Sequence, residues 1–225
     1  MFPYSEEKIS LYTAKICPFA HRVVLALEES NLPYEAIEID LYNKPEWYHE
    51  VNPAMKVPAM RLPSGEIMVE SLLIVDYISK QYPKFNLIPP TPFDQYKASI
   101  LAGFYESNLI TPAYKLLATT SNRSETNDIY ADTIEKLQEF NDKLVSNNPI
   151  GPFIFGDHFT TADIAIIPFA ERIDLVCKML GLKFNDIPGL ERYYAWKDAC
   201  FKRPAYSSTV ASYEELSVGY RKYIK

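Results

Sequence analysis

Four prolines lie within residues 83–93, and this short stretch limits what the whole chain can fold into. Proline lacks a backbone N–H and fixes φ, so such a dense run neither continues a helix nor supplies a full strand ladder. Before it, short strand-like runs alternate with helical patterns; after it, apolar residues recur every three or four positions only. We therefore expect two domains, residues 1–82 and residues 94–225, joined by a linker at 83–93.

The first domain is predicted to mix strands and helices, whereas the second is predicted to be all helical. Two strands joined through a helix form a right-handed βαβ unit with parallel strands, and a hairpin and a further helix then complete a βαβ-ββα order. Ligands of open α/β sheets bind at the carboxyl ends of the strands. The predicted elements are a strand at 9–13, a helix after Pro18, a strand at 34–40, a hairpin of 58–62 and 66–69, and a helix opened by Glu70 and Ser71.

Cys17 lies where the first strand passes into the first helix, immediately before Pro18. Proline is favoured at the first helical position, which places Cys17 at or just before the N-cap. The helix dipole and the unpaired N–H groups there favour thiolate over thiol, and thiolate is the attacking form. Cys17 is the candidate nucleophile. A cysteine before a proline is, taken alone, more often a small buried hydrophobic residue than a reactive one.

Composition excludes several classes of protein. The net charge of −6, without any run of five like charges, argues against nucleic-acid binding. Neither a signal peptide nor an 18-residue apolar span is recognisable, so we expect no membrane association and a cytoplasmic location. Cys17, Cys177 and Cys200 do not form a CxxC pair, and His49 and His158 lack partners at metal-ligand spacing, so neither a disulfide framework nor a metal site is predicted.

The segment from Phe159 to Ile164 has the form of a capping box in front of an apolar helix. Thr160 is placed as the N-cap and Asp163 at the third helical position, and Phe159 and Ile164 are spaced as a hydrophobic staple. We interpret Asp163 as a folding signal, not a catalytic acid.

These features together resemble a known family. A βαβ-ββα domain with a Cys-Pro at its first helix and Val57-Pro58 before its third strand resembles the thioredoxin fold, and the helical second domain makes the whole chain similar to a cytosolic glutathione transferase. Residues 17–20, Cys-Pro-Phe-Ala, and residues 43–47, Asn-Lys-Pro-Glu-Trp, resemble the omega class. The similarity extends over essentially all 225 residues.

The resemblance implies a glutathione site with one role for each matching residue. Cys17 would form a mixed disulfide with glutathione, and Val57, before a cis Pro58, would pair with the cysteinyl backbone. Lys44 would meet the glycine carboxylate, and a helix start would bind the γ-glutamyl end. The implied glutathione-binding residues are Phe19, Lys44, Val57, Pro58, Glu70 and Ser71, and the implied residues of an acceptor pocket between the domains are Arg172 and Trp196.

Ala20 stands where CxxC enzymes have a second cysteine, so a second glutathione must resolve the mixed disulfide. The predicted function is therefore a glutathione-dependent thiol transferase or reductase, acting on mixed disulfides, dehydroascorbate or glutathionyl ketones. Its partners would be glutathione, a small electrophilic or disulfide acceptor and, by resemblance, a second copy in a homodimer. His21, one turn beyond Cys17 on the same helix, could tune the thiolate, but we favour the interpretation of an exposed helical histidine over a catalytic role.

Two alternative functions remain open from the sequence. In the first, the hydroxyl of Tyr12 or Thr13 stabilises the thiolate of glutathione itself, and the enzyme conjugates glutathione to electrophiles. In the second, the chain is a non-catalytic relative similar to the chloride intracellular channel proteins, which share a Cys-Pro-Phe start. Single residues also have simpler interpretations, with Glu70 as a stabiliser of the helix dipole and Lys44 as a solvated lysine.

Overall fold

A computed structural model describes residues 2–224, and the chain divides into two compact units. The first unit extends to Asn86 and also takes in Pro204–Val210 from near the other end of the chain. The second unit comprises Leu87–Arg203 and the residues from Ala211 onward. The division thus falls within the stretch 83–93, while the inclusion of Pro204–Val210 in the first unit has no counterpart in the sequence-based domain boundaries.

The first unit contains a four-stranded mixed sheet with helices, and the predicted βαβ-ββα order is confirmed. In the strand order β2-β1-β3-β4, β1 runs parallel to β2 and antiparallel to β3, and β4 runs antiparallel to β3. A short helix, α2, lies between β2 and β3. The elements are β1 (Ile9–Thr13), α1 (Pro18–Glu29), β2 (Tyr34–Glu38), α2 (Tyr48–Val51), β3 (Ala59–Arg61), β4 (Ile67–Val69) and α3 (Ser71–Gln81), with a 3-10 turn at Pro83–Phe85.

Strand β1 is buried on both faces, which its sequence pattern does not reveal. All five of its residues are buried, including Ser10 and Thr13. The strand occupies an interior position in the sheet, so neither face is left to solvent, and the alternation expected of a half-buried strand is absent. The hydroxyl of Ser10 accepts a hydrogen bond from the backbone N–H of Ser5 at 2.8 Å, which compensates for its burial.

The second unit is helical, as predicted. A π-helical turn at Glu106–Ile110 connects α4 to α5. Pro112 follows this turn and lacks the N–H that would bond to the carbonyl of Asn108, which gives a local reason for the wider turn. The helices are α4 (Pro92–Tyr105), α5 (Thr111–Ala118), α6 (Arg123–Asn147), α7 (Thr161–Met179), α8 (Glu191–Phe201) and α10 (Tyr213–Arg221), while α9 (Pro204–Thr209) belongs to the first unit.

The predicted capping box at the start of α7 is confirmed. The Asp163 carboxylate accepts hydrogen bonds from the backbone N–H of Thr160 at 2.8 Å and from the Thr160 hydroxyl at 3.2 Å. It is fully buried and accepts two further bonds, from the Ile154 N–H at 3.0 Å and the Trp196 indole N–H at 2.8 Å. Asp163 therefore ties the start of α7 to a preceding loop and to α8.

Candidate active site

Cys17 is the N-cap residue of α1, and Pro18 occupies the first turn of that helix. The Cys17 backbone is extended, with φ −85° and ψ 117°, and its N–H donates to the carbonyl of Ala14 at 2.8 Å. Its own carbonyl accepts from the N–H of His21 at 3.0 Å, which begins the helix. The side chain is partly exposed, so the thiol lies at a helix N-terminus within reach of a ligand.

The loop that carries Val57 and Pro58 lies beside this thiol. The Cys17 Sγ is 4.0 Å from the carbonyl oxygen of Val57, and the Val57–Pro58 peptide bond is cis. Cys17 packs on an apolar cluster that includes Tyr12, Tyr48 and Val57. The structure therefore brings together the candidate nucleophile and the residue expected to pair with the backbone of a peptide-like ligand.

The N-terminus of α3 carries Glu70 and Ser71. Ser71 is the first helical residue and is largely buried, while Glu70 is exposed and has φ 68°, a conformation that non-glycine residues seldom adopt. The Ser71 hydroxyl accepts a hydrogen bond from Nη1 of Arg22 at 3.2 Å. Because its oxygen is engaged as an acceptor, the Ser71 proton can be donated to an anion bound at this helix start.

Arg22 lies beside the candidate site, a position that the sequence did not predict. The residue is 2% exposed, and its guanidinium donates to the Ser71 hydroxyl and lies 5.3 Å from the ring centroid of Phe19. The sequence feature that could have drawn attention to this residue is its charge, which follows His21 in an otherwise apolar stretch of α1. Its role depends on α3, which follows in sequence about fifty residues later, so the helical pattern of α1 alone does not reveal it.

Phe19 and Lys44 are both partly exposed. Lys44 lies in the segment between β2 and α2, where the Asp40 carboxylate accepts hydrogen bonds from the N–H groups of Tyr42 at 2.8 Å and Asn43 at 3.2 Å. This turn fixes the backbone just ahead of Lys44. The contact of Lys44 with a glycine carboxylate stays a prediction.

The expectation that His21 is exposed is wrong. His21 is 4% exposed, its Nε2 lies 2.9 Å from the Thr209 hydroxyl, and its ring centroid is 5.4 Å from that of Tyr206. The Thr209 hydroxyl donates to the carbonyl of Ala205 at 2.6 Å, so its oxygen accepts from His21 Nε2–H. Helix α9 packs on α1, and that contact covers a histidine which an isolated α1 would expose.

Arg172 and Trp196, predicted for an acceptor pocket, are both buried in the second unit. The Trp196 ring is fully buried and hydrogen-bonded to Asp163, which gives it a packing role. Arg172 contacts the carboxylate of Glu171 and lines a small cavity with Tyr114 and Tyr220. The position of Trp196 favours the structural interpretation, and a role of Arg172 in an acceptor pocket stays a prediction.

The remaining thiols lie in surroundings that suppress their reactivity. Cys177 and Cys200 are fully buried, and none of the three cysteines within residues 2–224 forms a disulfide. Burial, aided by the nearby Asp174 carboxylate, raises the pKa of Cys177 to about 12. At neutral pH Cys177 is therefore a thiol and a poor nucleophile.

The Tyr12 hydroxyl does not favour the conjugation mechanism. It donates to the carbonyl of Pro3 at 2.7 Å, and burial raises the pKa of Tyr12 to about 12. Thr13, the other candidate hydroxyl, is 6% exposed. Between Phe2 and Ile224, no cluster of three or more His, Cys, Asp or Glu side chains has the arrangement of a metal site, and no helix is both long and apolar enough to cross a membrane.

Two family profiles match the chain in the order of its two units. The profile described as "Glutathione S-transferase, N-terminal domain" matches residues 11–90, and that described as "Glutathione S-transferase, C-terminal domain" matches residues 127–196. The fold, the Cys-Pro helix start and the adjacent cis-proline loop agree with this match. The chain belongs to the glutathione S-transferase family.

Within that family the chain is similar to omega-class enzymes and to dehydroascorbate reductases. It is 26% identical over 207 residues to glutathione S-transferase omega-1 of Sus scrofa, covering 92% of this chain and 82% of the relative. It is 28% identical over 206 residues to the probable glutathione S-transferase DHAR1, cytosolic, of Oryza sativa subsp. japonica, covering 91% and 88%. The crystal structure of glutathione transferase Omega 1C from Trametes versicolor superposes with a TM-score of 0.79 at 28% identity, covering 96% of this chain and 95% of that one.

Proposed function

We propose that the protein is a glutathione-dependent thiol transferase and reductase that acts through a Cys17–glutathione mixed disulfide. The observation that carries the proposal is the position of Cys17 at the N-cap of α1, with its sulfur 4.0 Å from the Val57 carbonyl. The helix N-terminus favours the thiolate, and the adjacent cis-proline loop offers backbone groups to a peptide. The names of the omega-class and dehydroascorbate reductase relatives support the same chemistry.

In the proposed reaction on a glutathionylated acceptor, the Cys17 thiolate attacks the glutathione sulfur of the mixed disulfide. A bond forms between Cys17 and glutathione, and the acceptor leaves as a thiolate that takes up a proton. The thiolate of a second glutathione then attacks the glutathione sulfur bound to Cys17, which releases glutathione disulfide and restores the Cys17 thiolate. Ala20 provides no internal thiol for this second step.

With dehydroascorbate as acceptor, two glutathione molecules supply two electrons and two protons in total. They leave as one glutathione disulfide while dehydroascorbate is reduced to ascorbate, so the protein returns to its starting state after each turnover. Cys17 again carries one glutathione between the two half-reactions.

Glutathione binding is assigned to the groups around Cys17. Val57 pairs with the cysteinyl backbone, and Glu70 and Ser71 bind the γ-glutamyl amino and carboxylate groups at the start of α3. Arg22 supports this end of the site, since it engages the Ser71 oxygen and adds a buried positive charge. Lys44 is proposed to meet the glycine carboxylate, with Phe19 and Pro58 as packing surface.

An activity panel distinguishes this function from conjugation. With reduced glutathione, we expect turnover of dehydroascorbate and of a glutathionylated peptide, each accompanied by glutathione disulfide, and much slower turnover of a chloronitrobenzene. A protein thiolate beside the bound glutathione favours disulfide exchange, whereas no hydroxyl with a lowered pKa is available at Tyr12 to activate the glutathione thiol. Rapid conjugation with no reduction would contradict the proposal.

We propose a homodimer formed through the exposed face of α4. Phe93, Tyr96 and Ile100 recur at helical spacing and are each more than half exposed. Tyr96 and Ile100 line an open groove between α4 and α6, and an isologous contact would bury the whole stripe in both copies. The family resemblance supports the same arrangement.

Light scattering at micromolar concentration should give the mass of two chains for the wild type. Tyr96→Glu should shift the mass toward one chain because it places a charge in the buried stripe. Val218→Glu, at a similarly exposed apolar position on α10, is the matched control and should leave the mass unchanged. A wild-type mass near that of one chain would refute the dimer.

A cytoplasmic location is also proposed. The chemistry needs reduced glutathione and a reduced Cys17, conditions that the cytosol maintains. One relative is named as cytosolic, whereas others are named as chloroplastic, so the relatives by themselves allow more than one compartment.

A further inference from the structure

The carbonyl oxygen of Lys56 accepts two side-chain hydrogen bonds directly before Val57. The Tyr48 hydroxyl donates to it at 2.8 Å, and Nδ2 of Asn52 donates to it at 2.7 Å. The donor residues are buried, with Tyr48 fully enclosed and Asn52 5% exposed, although Lys56 itself is exposed. A single exposed-loop carbonyl is thus held by two donors from the protein interior.

Asn52 also fixes the rest of the loop between α2 and Val57. Its Oδ1 accepts from the Ala54 N–H at 3.0 Å, its carbonyl accepts from the Met55 N–H at 2.8 Å, and its own N–H donates to the carbonyl of Tyr48 at 2.9 Å. The Ala54 N–H is necessarily a donor, so Oδ1 faces it and the amide nitrogen faces Lys56. Met55 has φ 54°, a left-handed conformation that these bonds stabilise.

The Lys56 carbonyl and the Val57 N–H belong to the same peptide group. A trans peptide is planar, and its C=O and N–H point in opposite directions. Since Tyr48 and Asn52 hold the carbonyl toward the interior, the Val57 N–H is directed away from both side chains. Two donors on the carbonyl also polarise the peptide, which strengthens its N–H as a donor.

We propose that Tyr48 and Asn52 are positioning residues for glutathione, which set the direction of the Val57 N–H by holding the carbonyl of the same peptide. The proposal rests on the proposed function, in which Val57 pairs with the cysteinyl backbone. The carbonyl group of Val57 lies on the side of Cys17, with its oxygen 4.0 Å from the Cys17 sulfur. Tyr48 and Asn52 themselves are not catalytic residues, since they act through the loop.

The Tyr48 hydroxyl keeps its proton at neutral pH. Burial raises the pKa of Tyr48, and the nearby Tyr12 and Cys17 side chains add to that effect. The hydroxyl therefore remains a donor to Lys56 when Cys17 is a thiolate.

Tyr48→Phe tests the proposal, and Tyr12→Phe is its matched control. The two rings are neighbours, with centroids 5.9 Å apart, and each hydroxyl donates to one backbone carbonyl, that of Lys56 or that of Pro3. Both variants lose one hydrogen bond of a buried tyrosine, so thermal unfolding should shift similarly. Calorimetry on a Cys17→Ser background should show glutathione binding weakened about tenfold by Tyr48→Phe and unchanged by Tyr12→Phe.

Asn52→Asp provides a second variant, because it keeps the acceptor for the Ala54 N–H and removes the donor to Lys56. It should weaken glutathione binding at least as much as Tyr48→Phe. In the active protein both changes should raise KM for glutathione more than they lower kcat. The ¹⁵N-labelled Val57 amide should shift on glutathione addition in the wild type and less in Tyr48→Phe.

Equal dissociation constants for Tyr48→Phe and Tyr12→Phe would overturn the positioning role while leaving the proposed function intact. A wild-type protein that neither binds glutathione nor exchanges thiols would overturn both. The two failures are distinguishable because the first is seen only in the variants.

Discussion

Cys17→Ser is expected to reduce glutathione-dependent thiol exchange by several orders of magnitude while leaving glutathione affinity nearly unchanged. The substitution removes the sulfur that forms the mixed disulfide, and a serine hydroxyl cannot replace it in disulfide chemistry. The proposed binding groups at Val57, Glu70 and Ser71 are untouched. Reduction of dehydroascorbate and of a glutathionylated peptide, measured beside the dissociation constant of glutathione, checks both halves of the prediction.

Cys177 and Cys200 serve as internal controls for the reactivity of Cys17. Cys17 should be alkylated rapidly at pH 6, because a helix N-terminus lowers a thiol pKa below about 8.5. Cys177, with a pKa raised to about 12 by burial, and the buried Cys200 should not react. Oxidised glutathione should add one glutathione to Cys17. A Cys17→Ser enzyme with the parent rate, or an adduct on Cys177 or Cys200, would contradict the mechanism.

Asp163→Ala is expected to destabilise the second unit by about 3 kcal/mol or more, since each buried donor left without its acceptor costs about 1–3 kcal/mol. The Asp163 carboxylate accepts from the backbone N–H groups of Thr160 and Ile154, the Thr160 hydroxyl and the Trp196 indole. These bonds join the start of α7 to α8. Urea unfolding followed by circular dichroism measures the loss.

A second capping box in the same chain offers a matched control. Ser212 and Glu215 form the same pair of bonds at the start of α10, but Glu215 is exposed. Glu215→Ala should cost only about 1 kcal/mol, the usual value for a lost helix cap. Trp196→Phe removes the indole donor and also leaves a cavity where the larger ring was, so it should cost more than Glu215→Ala. Equal losses for Asp163→Ala and Glu215→Ala would show that burial adds nothing to this cap.

Features that depend on a few neighbouring residues could be predicted from the sequence. Pro18 cannot donate a backbone hydrogen bond, so Cys17 had to stand at the helix start, and the structure places it at the N-cap. The Thr160–Asp163 capping box is set by a three-residue spacing within one helical turn, and it too is present. The strand and helix order of the first unit follows from local periodicities in the same way.

Contacts between distant segments were decided by the tertiary structure alone. His21 was expected in solvent, yet it is buried because Thr209, 188 positions later, packs beside it. Arg22 lies beside Ser71 only because the start of α3 lies next to α1, and Trp196 is buried among aromatic rings with its indole N–H donating to Asp163. Helical periodicity shows which residues share a face, but what covers that face depends on which segments meet. The sequence by itself therefore determined the place of Cys17 at the start of its helix, whereas the side chains that pack around it required the folded chain.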